Sequence, residues 1–233
     1  MIRSLIVVIY SMFWCGLAVI TLMIFPRSAE FVLLQYAKRF WSTPMLKWII
    51  GAPIKVQISP KAAELFDSKK GAILMSNHSS NLDITACFVA CPTPIVFLSK
   101  ASIRKVPLLG EANARVGTVF VERGNKESSL KAIRTLVNTV KNGRSVVVYP
   151  EGTRSKTGEI LPFKKGGFHL AVQAKAPVIP MHISGTHKRF PPRAIKFIKQ
   201  KEPIVVKFGD PVISDNVNEL RDLTYNAVCE LRG

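Results

Sequence analysis

Hydrophobic positions divide the chain into three regimes. From Leu5 to Phe25 there is no charged residue in 21 positions, which is long enough to span a bilayer. Arg3 precedes the run, and Pro26-Arg27 follow it. The run is long and lacks a small-x-small exit, which argues against a cleaved signal peptide. A buried core helix is the other alternative. From Ser28 to Ile50 the pattern changes. Phe31, Leu34, Tyr36, Phe40, Trp41 and Trp48 mix with Lys38, Arg39 and Lys47. Aromatic residues beside basic ones describe an interfacial helix. Basic residues after the first run outnumber Arg3 before it, so a spanning helix would leave the bulk of the protein cytoplasmic. Two helices dipping into one leaflet fit the same residues, and both dispositions stay open.

After Gly51 short apolar runs, often β-branched, alternate with helical stretches. Strands are predicted at Lys55–Ser59, Ala72–Ser76, Ile95–Ser99, Thr118–Glu122, Ser145–Tyr149, Val178–Ile183 and Ile204–Phe208. Several are apolar at every position, as strands buried on both faces are. Helices are predicted at Leu82–Ala90, Lys126–Asn142, Gly167–Lys175 and Val217–Leu231. In the second of these Leu130, Ile133, Leu136, Val137 and Val140 form one stripe, Asn125 can cap the start and Gly143 sits at C′. The pattern predicts an α/β fold, a mixed, largely parallel sheet flanked by helices, with an N-terminal membrane-associated helical segment. The boundary falls near Gly51-Ala52-Pro53, giving an anchor over 1–51 and an α/β domain over 52–233.

Charge narrows the partners. The net charge is +18 and the pI near 10.1, which calls for an anionic bilayer, a phosphorylated substrate or nucleic acid. Nucleic acid is disfavoured because the aromatics gather in the N-terminal segment rather than along a basic stripe of the domain. Cys15, Cys87, Cys91 and Cys229 form no CxxC pair, which argues against disulfides and a zinc site. No GxSxG elbow, Walker loop or HExxH is present, and no metal is expected.

The chemistry gathers at strand ends. Ala72–Ser76 runs into Asn77-His78-Ser79-Ser80-Asn81-Leu82-Asp83. Five residues rotate a helix by about 500°, so His78 and Asp83 cannot share a helix face. They meet if His78 lies on the loop and Asp83 in the first turn. A histidine oriented by a carboxylate is the minimal unit for taking a proton from an alcohol. Ser80 and Asp83 also form a capping-box pattern, so Asp83 has a structural alternative. Ile95–Ser99 leads to Lys100, Arg104 and Lys105, and Thr118–Glu122 leads to Arg123. Ser145–Tyr149 leads to Pro150-Glu151-Gly152-Thr153-Arg154-Ser155. If these strands are parallel, all four loops share one end of the sheet, where open α/β folds bind ligands. Arg154 offers a planar fork for a phosphate; a solvated surface turn is the alternative for this stretch. Thr186 to Lys201 carries six basic residues and no acid, and is read as membrane-facing. His169, His182 and His187 have no acidic neighbour in sequence and are read as structural or exposed. Cys87 and Cys91 are read as core.

Together these motifs resemble the glycerolipid acyltransferases, and within them the bacterial 1-acylglycerol-3-phosphate acyltransferases. Asn77–Asp83 resembles their NHxxxxD block, Val119–Arg123 the second block and Tyr149–Ser155 the FPEGTRS block, with Tyr149 for the usual Phe. Ala176–Pro180 resembles the fourth. The similarity spans residues 70 to 185, and the basic 186–201 stretch aligns with none of the blocks. It implies transfer of a fatty acyl group from an acyl carrier protein or coenzyme A thioester to the sn-2 hydroxyl of lysophosphatidate, with no bound cofactor. It also implies the cytoplasmic face of a bacterial inner membrane. His78 would act as base and Asp83 as its orienter, with oxyanion donors expected among backbone N–H groups at the following helix start. Arg123 and Arg154, with Lys100 or Lys105 in support, would hold the phosphate. Glu151, Gly152 and Thr153 would line the acceptor site, Glu151 orienting the glycerol hydroxyls or the loop itself. The same chemistry on glycerol-3-phosphate, another lysophospholipid or a lyso-aminolipid is the second reading. A non-catalytic basic membrane or nucleic-acid binder is the reading of a different class.

Overall fold

A computed structural model of the protein describes residues 2–122 and 124–233. Among the described residues seven strands build one sheet: β1 (Ile54–Ile58), β2 (Ile73–Ser76), β3 (Ile95–Lys100), β4 (Val119–Val121), β5 (Ser145–Val148), β6 (Val178–Ser184) and β7 (Ile204–Phe208). Their spatial order is β1-β7-β6-β2-β5-β3-β4. Neighbours from β6 to β4 are parallel. β7 runs antiparallel to β6, and β1 parallel to β7. The sheet is therefore mixed and largely parallel, as the pattern predicts, with two reversed strands at one edge.

β2 and β5 are direct neighbours, with Met75 opposite Val148. The two segments richest in unusual polar residues therefore leave the sheet side by side. Every residue of both strands is buried. The reason is a core on each face. Ile73, Met75, Val146 and Val148 pack on one side; Leu74 and Val147 pack on the other. The first side is covered by α6 (Lys126–Lys141), α7 (Gly166–Ala174) and α9 (Val217–Arg232), the second by α3 (Pro60–Asp67) and α4 (Leu82–Ala90). The sequence pattern omits α3 and α5 (Leu109–Val116), although Ser59 caps α3 by accepting from the Ala62 amide and Pro60 sits at its first position.

The N-terminal segment packs onto this body. Helix α1 (Ile2–Ile24) is long and apolar enough to cross a membrane. A second helical stretch, α2 (29–50), turns back along it, with wide π-type turns over Val32–Ser42 and Met45–Ile50. Trp14 stacks on Phe40 with ring centroids 5.4 Å apart, and Trp41 Nε1 donates to Ser11 Oγ at 2.9 Å. Ala18, Leu22, Val32 and Leu33 join one core and Met45, Leu46 and Ile50 the other. Along the opposite side of α1, Ile2, Leu5, Ile9, Phe13, Ile20 and Ile24 are all more than half exposed.

Candidate active site

Asn77 fixes the loop after β2. Its side chain acts as a surrogate peptide, accepting from Ile183 N at 2.8 Å and donating to Ile183 O at 2.9 Å. This prolongs the β2–β6 pairing by one position. His78 follows on the loop, and α4 starts at Leu82 with Asp83 in its first turn. The five-residue spacing is thus closed by a loop-to-helix step. Nδ1 of His78 lies 2.8 Å from Oδ2 of Asp83. The same oxygen accepts from the amides of Ser79 at 2.8 Å and Ser80 at 2.9 Å. Asp83 thereby caps the helix and orients the histidine at once. It is wholly buried, and its Oδ1 has no partner among the described residues.

These contacts correct one expectation. The amides of Ser79 and Ser80 are taken by Asp83, that of Leu82 by Ser80 Oγ and that of Asp83 by Ser80 O. These four donors are occupied, so of the amides from Ser79 to Asp83 only that of Asn81 has no partner among the described residues and is left for an oxyanion. The cause is the capping geometry itself, which satisfies the helix start from within.

Glu151 reaches across from the end of β5. It is buried, and its Oε1 accepts from the His78 amide at 2.9 Å. Its carboxyl is pushed up to about 7, first by burial, against the opposing pull of the His78 and Leu161 amides. The Ser155 amide donates to His78 O at 2.7 Å, so the second loop grips the first at both ends of the His78 peptide. Gly152 holds the intervening turn at φ +71° with Lys164 packed against it, a conformation that favours glycine. Arg154 donates to Asn81 Oδ1 at 2.9 Å, at the start of α4. Thr153 is exposed.

Lys100, the last residue of β3, and Lys105, in the turn that follows, are exposed at the same end of the sheet. Neither makes a hydrogen bond to the His78–Asp83 pair among the described residues. Arg123 lies outside the described residues.

Two contributors escape the sequence pattern. Tyr149 stacks on His78, with centroids 3.9 Å apart and planes at 14°, and its hydroxyl lies 3.4 Å from Cys87 Sγ. His187, on the short helix Thr186–Arg189, places Nδ1 3.3 Å from Ser79 O. Its partner is a backbone carbonyl, which no spacing of acidic residues could reveal. Cys87 and Cys91 are buried; desolvation pushes the first thiol well above its ordinary value and the second to about 12. Neither is a thiolate at neutral pH, consistent with core packing. His182 is buried, and desolvation lowers it to about 4, so it is neutral.

A loop histidine and a buried carboxylate follow the carboxyl end of β2, gripped by the glutamate loop that leaves the adjacent parallel strand β5. Residues 54–184 match the family model described as Acyltransferase, and the chain belongs to that family. It is 34% identical over 176 residues to a 1-acyl-sn-glycerol-3-phosphate acyltransferase of Cocos nucifera, covering 75% of this chain and 54% of that one. It is 32% identical over 189 residues to the protein of that name from Salmonella typhimurium, covering 80% and 74%. The crystal structure of the 1-acyl-sn-glycerophosphate (LPA) acyltransferase PlsC from Thermotoga maritima superposes with a TM-score of 0.77 at 26% identity, covering 100% of this chain and 97% of that one. The chain spans between 45% and 58% of the length of the plant relatives it matches.

Proposed function

We propose that this protein is a 1-acylglycerol-3-phosphate O-acyltransferase, moving a fatty acyl group from a thioester to the sn-2 hydroxyl of lysophosphatidate to give phosphatidic acid. The observation that carries this reading is the 2.8 Å contact between His78 Nδ1 and Asp83 Oδ2. With Nδ1–H directed at the carboxylate, Nε2 is the basic nitrogen. It takes the proton from the acceptor hydroxyl as that oxygen attacks the thioester carbonyl. Collapse of the tetrahedral adduct breaks the C–S bond, and the imidazolium returns the proton to the leaving thiolate. Asp83 stabilises the imidazolium in between. Acyl transfer is direct, because the buried thiols are not thiolates and, among the described residues, no hydroxyl or thiol is hydrogen-bonded to the His78 ring.

Glu151 serves as a positioning group for the His78 peptide rather than as a ligand for glycerol hydroxyls, in keeping with its hydrogen bond to the His78 amide. Arg154, at the rim of α4, takes the acceptor phosphate as a bidentate partner. By their places in the motifs Arg123, Lys100 and Lys105 add positive charge around it, and Gly152 and Thr153 shape the turn. The acyl donor, a carrier-protein or coenzyme A thioester, is a substrate, and the scheme uses no bound cofactor.

Residues 1–51 anchor the domain at the membrane. Helix α1 is roughly 35 Å long and meets the body at both ends: Ser4 Oγ donates to Ile195 O at 2.6 Å, and Gly16, Leu17 and Ile20 line a shared surface with Leu108. A helix held at both ends favours lying within one leaflet over crossing the bilayer. The side, the cytoplasmic face of a bacterial inner membrane, is carried over from the family resemblance, because the rule of basic residues orients only a helix that crosses. An assay of the purified protein with acyl carrier protein and coenzyme A thioesters, each crossed with lysophosphatidate and glycerol-3-phosphate, tests the reading. Phosphatidate formation from lysophosphatidate is the expected product. Acylation of glycerol-3-phosphate alone would reassign the acceptor, and no transfer to either would overturn the proposal.

A further inference from the structure

The strap between the Thr186–Arg189 helix and β7 takes no part in the chemistry above. Residues 190–203 form neither helix nor strand, yet their backbone is pinned from several sides. The buried Arg189 guanidinium donates to Gly185 O at 2.9 Å, to Gln200 O at 3.2 Å and to Glu202 O. Ser80 Oγ, on the loop that carries His78, donates to Phe190 O at 2.6 Å. Ser4, in the first turn of α1, holds Ile195 O. Phe190 and Phe197 stack with centroids 4.4 Å apart.

With its backbone so held, the strap turns its charge outward. Arg193, Lys196, Lys199 and Lys201 are exposed, and so is Lys188 on the short helix just before the strap. None of the five forms an ion pair among the described residues. Between them Ile195 is 75% and Ile198 50% exposed. The strap runs directly into the apolar helix: Ile2, Arg3 and Ser4 of α1 and Lys196 and Phe197 of the strap border one cleft of about 410 Å³. Exposed isoleucines between unpaired lysines suit a lipid–water boundary, where apolar groups enter below the headgroups and ammonium groups meet phosphates. An acidic protein would match the cations alone. To match the isoleucines as well, it would have to cover a patch that merges with the exposed face of α1.

We infer that the strap is an anionic-lipid docking surface, continuous with the exposed face of α1, that ties the His78 loop to the headgroup layer through the Ser80–Phe190 hydrogen bond. It rests on α1 facing lipid, but not on the acyl-transfer reading, because binding is measured without turnover. The test uses the full chain on vesicles of phosphatidylcholine alone or mixed with phosphatidylglycerol. Two measurements are made, partition by flotation and amide hydrogen exchange of residues 191–201. Anionic vesicles should slow exchange across the strap, and neutral vesicles should not. The double variant Lys196→Gln/Lys199→Gln should lose that protection and bind anionic vesicles roughly 30-fold less, at about 1 kcal/mol for each lysine near the surface. Its binding to neutral vesicles should not change. In neutral detergent the double variant should match wild-type turnover, and a loss there would make the strap part of the reaction site. Equal exchange on both vesicle types overturns the inference. So does slowing by an acidic carrier protein in neutral detergent without slowing by anionic vesicles, which would make the strap a protein dock.

Discussion

The Tyr149 ring lies flat on the His78 imidazole, 3.9 Å between centroids and 14° from parallel. Tyr149 is the first residue after β5 and His78 the second after β2, so the stack follows from the adjacency of these two strands. The ring backs the imidazole while Asp83 holds its edge, and together they restrict the imidazole's rotation. Such a pair contributes about 1 kcal/mol beyond area burial. Tyr149→Phe keeps the ring and is expected to hold kcat within about threefold. Tyr149→Leu removes the face and should lower kcat about tenfold or more with little change in either KM. Full kcat in the leucine variant would remove the positioning role.

Asp83 carries two functions that separate by measurement. Asp83→Asn retains an oxygen for the Ser79 and Ser80 amides but cannot stabilise an imidazolium, so kcat should fall on the order of 10³-fold to 10⁴-fold with a modest change in stability. Asp83→Ala leaves both amides without their acceptor, at about 1–3 kcal/mol for each buried orphan. His78→Ala abolishes turnover but leaves the cap intact, so its thermal midpoint should stay within a few degrees of wild type. If His78→Ala unfolds as early as Asp83→Ala, the cap is not the source of the stability.

The strands and the His–Asp pair were legible because their determinants are local. Fully apolar runs such as Val146–Val148 announce burial on both faces, and a five-residue spacing admits only a loop-to-helix step. What escaped depends on partners distant in sequence. Ile204–Phe208 reads the same in either direction, so its reversal against β6 is a property of the connection and not of the residues. Helix α5 begins after Leu108, held at φ +57°, a conformation leucine seldom adopts and no pattern signals. The oxyanion expectation is narrowed to the Asn81 amide, because Asp83 and Ser80 take the neighbouring ones. Tyr149 looked like a mild replacement until its stacking partner was in place. The basic 186–201 stretch was legible as charge, but the burial of Arg189 inside it was not.

Glu151 makes stability depend on pH. Its folded carboxyl titrates at about 7 against an ordinary value of 4.5. Between these values the folded chain keeps a proton on Glu151 that the unfolded chain has released, so this group's contribution to stability falls as pH rises through the window, while buried neutral His182 contributes the opposite trend below about pH 6.5. The full drop is on the order of 3 kcal/mol. Glu151→Gln removes the ionisation and keeps an acceptor for the His78 amide. Its unfolding midpoint should therefore climb relative to that of the wild type from about pH 5 to about pH 7, because only the upward trend of His182 is left, with kcat within about tenfold. Glu151→Ala removes the acceptor as well and should lower kcat about 100-fold. A difference between the Gln variant and the wild type that stays constant across this window would place the carboxylate's proton elsewhere.

Arg154 separates binding of the acceptor from the chemistry. Its guanidinium rests on Asn81 Oδ1 at 2.9 Å, at the start of the helix that carries Asp83. A neutral amide oxygen is a weak partner that a phosphate can displace, because two charge-assisted hydrogen bonds replace one ordinary one. Arg154→Ala should raise KM for lysophosphatidate about 10-fold to 100-fold and leave KM for the thioester donor near wild type. Arg154→Lys restores charge without the planar fork, so it should recover only part of the loss. Asn81→Ala frees the guanidinium without removing it, and KM for the acceptor should stay level or fall. Equal increases in both KM values for Arg154→Ala would exclude the phosphate role, because a residue that only braces the loop would disturb both substrates alike.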